Sequence, residues 1–173
     1  LEVIARSAEI FTVSAAFGSK LALDLAQDKL FDYDTELKRA EELCDILTNL
    51  GPAFIKIGQS LSVRTDLLRP ASVIGLTKLQ DRVPPFPTDK ALDIIARELG
   101  VTSAQKVFSN IMPDSSPIAA ASLGQVFKAE MRRGGETIDV AVKVQRPGIT
   151  DSISLDLHII RSLAPSIKKV AGL

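Results

Sequence analysis

The chain is poor in the residues that disulfides, metal clusters and nucleic-acid surfaces require. Its 173 residues contain one cysteine and one histidine, which excludes an internal disulfide and a cysteine-based zinc cluster. The 21 basic and 21 acidic side chains give a formal net charge of +0, so no overall positive charge indicates a nucleic-acid partner. We therefore expect no metal site in this chain and no nucleic-acid binding, and we expect Cys44 to be a buried thiol on a helix.

Long apolar runs are also missing. The most apolar early stretch, residues 10–17, is interrupted by Thr12 and Ser14. It is well short of the roughly 20 apolar residues that span a bilayer, so the sequence predicts no transmembrane helix. The chain begins at Leu1 with no basic segment and no small-residue cleavage site. We therefore expect targeting information to be absent or already removed.

The hydrophobic period divides the chain into two regions. With 46% apolar residues, 173 residues suffice for one compact domain but not for most two-lobed enzymes. Apolar residues recur at helical spacing in the first region, residues 1–110, whereas glycine, β-branched residues and alternation mark the second, residues 111–173. The first region predicts helices over residues 37–50, 52–63, 71–83, 88–99 and 103–108, together with a helix-compatible segment over 1–30. The pattern predicts an α+β fold.

A few residues of the first region fix the predicted helix ends and faces. Gly51-Pro52 ends one helix and begins the next, Thr88 is the expected N-cap of the helix at 88–99, and Gly100 is its expected left-handed stop. Gly58 lies inside a helix, where glycine costs about 0.5–1 kcal/mol relative to alanine. That position indicates either a close backbone approach by another element or simple tolerance. In the segment 1–30, one predicted face contains Ile4, Ala8, Phe11, Ala15, Leu21 and Leu25.

The second region reads as an antiparallel hairpin. Strands are predicted over residues 125–131 and 137–145, and Gly134-Gly135 between them can adopt positive φ. In the second strand four apolar residues alternate with four others, which places one set on each face: Ile138, Val140, Val142 and Val144 against Asp139, Ala141, Lys143 and Gln145. A further helix is predicted after Gly148.

One lysine among valines, preceded by a turn of small residues, is typical of the start of a kinase-type nucleotide lobe. There the turn covers the phosphates and the lysine supplies a fixed positive charge, which Lys143 in Ala141-Val142-Lys143 matches. The alternative is that Lys143 solvates the outer face of an antiparallel sheet. An ordinary kinase is contradicted because four residues without glycine stand where G-x-G-x-x-G is expected: Ala119, Ala120, Ala121 and Ser122. On composition alone, such an alanine run is more often a packed strand entry than a phosphate cradle.

Three motifs in order carry a family resemblance. They are residues 50–59 (LGPAFIKIGQ), 117–126 (PIAAASLGQV) and 140–148 (VAVKVQRPG). Together they closely resemble the UbiB family of atypical kinases, the aarF-domain-containing or activity-of-bc-complex kinases. The resemblance implies a helical N-terminal extension followed by a partial kinase-like N-lobe with an antiparallel sheet.

The resemblance also implies roles for single residues. Lys143 and the alanine-rich loop, Ala119, Ala120, Ala121 and Ser122, would bind ATP. The helix that contains Lys56, Gly58 and Gln59 would gate the nucleotide cleft. Arg64 and Asp66 also match the family's pattern and would have a polar role. The catalytic loop and the Mg²⁺ ligands would lie beyond Leu173, so we expect a fragment that is inactive by itself.

For the parent protein, the resemblance implies an ATP- and Mg²⁺-dependent atypical kinase or ATPase that supports prenyl-quinone or isoprenoid-lipid metabolism. Its partners would be nucleotide, membrane lipid and prenyl-quinone biosynthesis proteins. The form Val144-Gln145-Arg146-Pro147-Gly148 is similar to plastid and cyanobacterial members, which predicts a chloroplast location at thylakoids or lipid droplets. A cyanobacterial membrane-associated or mitochondrial location is the alternative. The rival function is a non-catalytic lipid- or protein-binding scaffold with a kinase-like fold.

Overall fold

The computed structural model describes residues 1–80 and 84–171, with side chains to residue 162, and in these residues five α-helices precede a small sheet and a sixth follows it. The helices are α1 (Glu2–Ala26), α2 (Tyr33–Leu50), α3 (Pro52–Ser62), α4 (Pro70–Thr77), α5 (Thr88–Glu98) and α6 (Ile149–Ala171). Two 3₁₀ turns cover Lys78–Gln80 and Ala104–Lys106. The strands are β1 (Ala119–Ala121), β2 (Gly124–Arg133) and β3 (Glu136–Gln145). The predicted α+β class is confirmed.

The chain packs as two compact units. One comprises Leu1–Arg82 and Thr150–Leu173, and the other comprises Val83–Ile149. We call them the helical unit and the sheet unit. Helix α5 belongs to the sheet unit, because its buried side chains Leu92 and Ile95 join the apolar core around Phe127. The sequence predicts a boundary near residue 110, where the motifs change. In the structure, residues 84–110 instead belong to the same unit as the strands.

The helical unit is built around α2. Asp32 caps it by accepting a hydrogen bond from the Thr35 backbone N–H at 3.4 Å, and Gly51, with φ of 100°, ends it. The predicted apolar stripe is buried at Leu47 and Leu50. Cys44 is also fully buried, as predicted, so this side of α2 forms the core against α3 and α4.

Helix α1 differs from its prediction. Ile4 and Phe11, on the predicted apolar face, are 73% and 74% exposed, whereas Ile10 and Asp24 are buried. Ion pairs as well as apolar contacts determine which side of α1 is buried, because ion pairs join α1 to its neighbours. Arg6 donates to both carboxylate oxygens of the fully buried Asp156 on α6, at 2.8 and 3.1 Å. An apolar period in the sequence does not encode such a contact.

The sheet has the order β1-β2-β3 and is antiparallel throughout. The Gly134-Gly135 turn joins β2 to β3, and both glycines have positive φ, 61° and 90°, as the sequence predicts. Arg133 pairs with Glu136, and this register continues to the pair Gly124–Gln145. The face with the four alternating apolar residues of β3 is the buried one, which confirms the predicted alternation.

Three predicted helix details are corrected or confirmed by the backbone. The helix predicted over 71–83 ends at Thr77 and continues as a 3₁₀ turn to Gln80, and its last predicted residues lie outside the described ones. Thr88 is not the N-cap of α5. Pro87 holds that position, and the Thr88 hydroxyl instead donates to the Ser115 carbonyl at 2.8 Å. Gly100, with φ of 65°, follows α5 as the expected left-handed stop.

Candidate functional site

The outer face of the sheet holds the predicted nucleotide-binding lysine. Ala119 pairs with Val126, and Val126 pairs with Lys143, so the three residues form one row across the strands. Directly paired residues point to the same face of a sheet, and neighbouring strands are about 4.8 Å apart. The alanine-rich strand and the lysine therefore lie about 10 Å apart on one exposed face.

Uncharged side chains are the nearest neighbours of Lys143 along β3 and directly across from it, and Lys128, which pairs with Ala141, is its diagonal neighbour. Ala141 and Gln145 precede and follow it on the same side of β3, and Val126 lies opposite. Ala121 of β1 shares the face and is exposed. Short side chains therefore leave open space on the strands beside the lysine amine.

Two residues of this face, Val126 and Ala141, are missing from the site residues predicted from the sequence. The signal for them was present, because a two-residue turn at Gly134-Gly135 sets the register of every later pair. Counting outward from that turn places Val126 opposite Lys143. The period of two then places Ala141 on the same face.

The alanine-rich segment is a short strand and a turn. Ala119 and Ala121 are exposed on the outer face, and Ala120 is half-buried. The turn that follows contains Ser122, which is buried, at 3% exposure. Gly124 begins β2 where a Cβ atom would lie 2.4 Å from the Val144 carbonyl oxygen, which makes glycine necessary at this close approach. The turn is therefore tightly packed against β3.

Gln125, on the inner face of the sheet, binds the extended segment that precedes α5. Its fully buried side-chain amide accepts from the Phe86 backbone N–H at 3.0 Å and donates to the Phe86 carbonyl at 3.1 Å. Arg146, at the end of β3, donates to the Pro84 carbonyl at 2.8 Å and lies 5.4 Å from the centroid of the Phe86 ring. These contacts hold the extended segment 84–87 against the strands. Gln125 and Arg146 were not predicted as site residues.

The two lysines of the outer face differ in their surroundings. Lys128 on β2 forms an ion pair with Asp139 at 3.0 Å, and this hydrogen bond raises the pKa of Lys128. The neighbours of Lys143 on the same face of β3 are Ala141 and Gln145. Within residues 1–80 and 84–162, Lys143 forms no ion pair. In that part of the chain, the charge of Lys128 is neutralised and that of Lys143 is available to an anion.

The predicted gating residues lie on α3 in the helical unit. Lys56 is exposed and lines a cavity of about 430 Å³ with Ile57, Arg64, Ile153 and Leu157 among its walls. Gln59 donates to the Leu79 carbonyl at 3.0 Å. A Cβ atom on Gly58 would lie 2.3 Å from a Leu79 methyl carbon and 2.7 Å from one of Leu47. The close approach predicted as one alternative for Gly58 is therefore present.

Arg64 and Asp66 form a local bidentate pair just after α3. The guanidinium donates to both carboxylate oxygens at 2.7 Å, and this bond lowers the pKa of Asp66. Both side chains are more than half exposed, so the pair adds little stability. It shapes the polar end of the cavity beside Lys56.

The described part of the chain brings no three His, Cys, Asp or Glu side chains together as a metal site. None of its helices combines the length and the apolar character needed to cross a bilayer.

Comparison with known proteins decides the family. A model of the ABC1 atypical kinase-like domain matches residues 78–172, more than half of the chain. The chain belongs to the ABC1 atypical kinase-like family. The match includes two of the three motifs, with the alanine-rich strand and Lys143, and it confirms the family resemblance.

Named relatives of this ABC1-like chain come from a plant and a cyanobacterium. ACTIVITY OF BC1 COMPLEX KINASE 3, chloroplastic, of Arabidopsis thaliana is 46% identical over 97% of this chain and 23% of its own length. A chloroplastic aarF domain-containing protein kinase of the same plant is 45% identical over 91% of the chain and 22% of its own length. An uncharacterised Synechocystis protein is 44% identical over 84% and 21%.

The chain thus spans between a fifth and a quarter of the length of these relatives. No solved structure matches it.

Proposed function

We propose that this chain supplies the ATP-binding half of the nucleotide lobe of an atypical kinase or ATPase. The observation that carries the proposal is the row Ala119–Val126–Lys143, which places an unneutralised lysine among small side chains on an exposed sheet face. In this role Lys143 binds phosphate oxygens, while Ala119, Ala121, Val126 and Ala141 border the ring. Mg²⁺ neutralises phosphate charge in kinase chemistry, and its ligands would come from other parts of the parent protein.

The alanine-rich segment would act as a rigid cover. A strand has little freedom to close over phosphates, and its Cβ atoms restrict φ in a way that glycines do not. Ala120 and Ser122 would hold the segment in place from the packed side, since both are less exposed than Ala119 and Ala121. Nucleotide selectivity would then depend on a preformed surface.

Nucleotide binding by the full-length protein tests this function. Calorimetry with ATP and Mg²⁺ would compare the unchanged protein with Lys143→Ala and with the control Lys128→Ala. A charge-assisted hydrogen bond contributes about 1.5–3 kcal/mol, so Lys143→Ala should weaken ATP binding about 10- to 100-fold. Lys128→Ala should change it less than about threefold, because that amine already binds Asp139. Equal losses in both variants would contradict the assignment.

Lys56, Gly58 and Gln59 would gate access to the nucleotide in the parent protein. Gly58 and Gln59 support the proposal by anchoring α3 to Leu79, which leaves Lys56 exposed at a fixed position. Lys56→Ala should change the preference among nucleotides or unmask autophosphorylation in the full-length protein. Lys90→Ala, at an exposed lysine on α5, is the matched control. Unchanged selectivity and unchanged phosphorylation in Lys56→Ala would remove the gating role.

The names of the relatives support a plastid or cyanobacterial setting, since the two plant proteins are chloroplastic. Within it, we place the parent protein at thylakoids or lipid droplets, in prenyl-quinone or isoprenoid-lipid metabolism. Fractionation of the source organism, followed by quinone profiling after gene disruption, tests both statements. A soluble stromal or cytosolic protein with an unchanged quinone profile would contradict them.

A non-catalytic lipid- or protein-binding scaffold is the second candidate. Exposed apolar side chains on α1 favour it, because Ile4 and Phe11 are about three-quarters exposed, at 73% and 74%. The calorimetric experiment separates the two functions. Absence of any nucleotide binding by the folded full-length protein would favour the scaffold.

A further inference from the structure

A cavity in the helical unit shares no lining residue with the proposed nucleotide site. It has a volume of about 320 Å³ and is lined by residues of α1, α2, α4 and the segments next to them. An engineered cavity of about 150 Å³ is large enough to bind benzene, so this one admits a larger molecule. Its apolar walls include Phe17, Leu21, Leu30, Leu43, Leu68 and Leu76.

Three charged residues line the cavity, and each has a partner within the helical unit. Glu36 accepts from the Ser72 hydroxyl at 2.6 Å and forms an ion pair with Arg69, whose Nε lies 3.1 Å from the carboxylate. Arg39 donates to both oxygens of Asp24, at 2.5 and 3.0 Å, and to Glu42 at 2.8 Å. A charged ligand would lose its hydration and find these charges already neutralised. The cavity therefore favours an uncharged ligand.

The open side of the cavity is marked by its exposed lining residues. Phe31, Leu67 and Arg69 are 62%, 60% and 57% exposed. The Arg69 guanidinium lies 5.1 Å from the centroid of the Phe31 ring and donates to the Phe31 carbonyl at 3.4 Å. A guanidinium has five N–H donors; one donates to the Phe31 carbonyl, and Glu36 is the ion-pair partner of the group. An uncharged oxygen at the open side can accept from the same group.

We propose that this cavity binds a neutral lipid, with its apolar body between α1, α2 and α4 and an uncharged oxygen beside Arg69. Filling the cavity removes apolar surface of both partners from water, which drives binding and stabilises the folded helical unit. The proposal requires neither Lys143 nor ATP. Its failure is therefore distinguishable from failure of the nucleotide assignment.

The test uses the full-length protein and the neutral fluorophore 1,6-diphenylhexatriene. The emission of the fluorophore should rise when it binds. 1-Decanol should displace the fluorophore and lower the emission. Every competitor is used below the concentration at which it forms micelles. Decanoate and decyltrimethylammonium have chains of the same length but carry opposite charges. Each should need at least about tenfold higher concentration than decanol, because its charged group would lose hydration beside an arginine that Glu36 already neutralises.

Two substitutions on one helix locate the site. Leu21→Trp fills the cavity from α1 and should reduce fluorophore binding at least about tenfold, a loss of about 1.4 kcal/mol. Leu23→Trp makes the same change at a 57% exposed residue outside the cavity and should bind as the unchanged protein does. If Leu21→Trp fails to fold, Leu43→Phe fills the same space from α2 and replaces it.

Three results would overturn the proposal. The first is no binding by the folded protein, which is also what a polypeptide segment already filling the cavity would give. The second is equal fluorophore binding by Leu21→Trp and Leu23→Trp. Where Leu43→Phe replaces Leu21→Trp, the corresponding result is equal binding by Leu43→Phe and Leu23→Trp. The third is displacement by decanoate or decyltrimethylammonium at the decanol concentration.

Discussion

The two units use charged side chains differently. In the helical unit, arginines join one helix to another, as Arg6 of α1 joins Asp156 of α6 and Arg39 of α2 joins Asp24 of α1. In the sheet unit, an apolar core around Phe127 holds the strands, and lysines stand on the exposed outer face. The charged side chains of the helical unit therefore stabilise the fold, whereas the charge of Lys143 in the sheet unit remains available to a ligand.

The largest expected effect is in the core of the sheet unit. Phe127 is 1% exposed and packs with α5 and β3, so Phe127→Ala leaves a cavity that the neighbours only partly fill. We expect a loss of about 3–5 kcal/mol in the free energy of unfolding, measured by urea denaturation. The exposed Phe11→Ala on α1 is the control and should cost less than about 1 kcal/mol. Similar losses in the two variants would contradict a core centred on Phe127.

The next effect tests whether ion pairs hold the helical unit. Asp156→Ala leaves the Arg6 guanidinium without its fully buried partner, and we expect a loss of about 3 kcal/mol in urea denaturation. Asp66→Ala removes the carboxylate of an exposed pair and should cost less than about 1 kcal/mol. Equal costs would mean that burial does not distinguish these pairs.

A smaller effect is expected at the inner face of the sheet. Gln125→Met keeps the apolar volume but removes both hydrogen bonds to Phe86, which leaves a buried backbone N–H without its acceptor. The expected cost is about 2 kcal/mol. Hydrogen exchange at the Phe86 amide should accelerate about 30-fold relative to the unchanged protein. Lys128→Met on the opposite face is the control, and a protected Phe86 amide in Gln125→Met would refute the clamp.

The smallest effect concerns acid pH. The Arg39 guanidinium, mainly through its hydrogen bond, lowers the pKa of Asp24 and also that of Glu42. Because the folded pKa of Asp24 is lowered, its contribution to stability is complete above the unfolded pKa, near pH 4, and is lost as the pH falls through the lowered value. Urea midpoints below about pH 4 should therefore fall less steeply in Arg39→Met than in the unchanged protein. Parallel slopes would exclude this linkage.

Local features of the fold were predictable because they depend on neighbouring residues. The turn at Gly134-Gly135 and the alternation along β3 determine which face Lys143 occupies, and both are visible in the sequence. The stop at Gly100 is equally local. Family resemblance, in turn, singled out Lys143 from other exposed lysines, which neither spacing nor composition could do.

The remaining features depend on partners that are distant in sequence. Arg6 and Asp156 are 150 residues apart, and their pair gives α1 a buried side that its apolar period does not predict. Gln125 contacts Phe86 across 39 residues, so no local pattern marks its buried amide as a clamp. Thr88 does not cap α5 as predicted, because its hydroxyl donates to the Ser115 carbonyl, which is also distant in sequence.

The measurement that tests the central claim most directly is site-resolved labelling of the two outer-face lysines. An acyl-phosphate derivative of ATP transfers its acyl group to a lysine amine beside the bound phosphates, and mass spectrometry of the full-length protein identifies the modified residue. We predict modification of Lys143, prevented by excess ATP, with Lys128 modified weakly and regardless of ATP, because Asp139 neutralises that amine. Equal modification of both lysines, or modification of Lys143 that ATP does not prevent, would contradict the account.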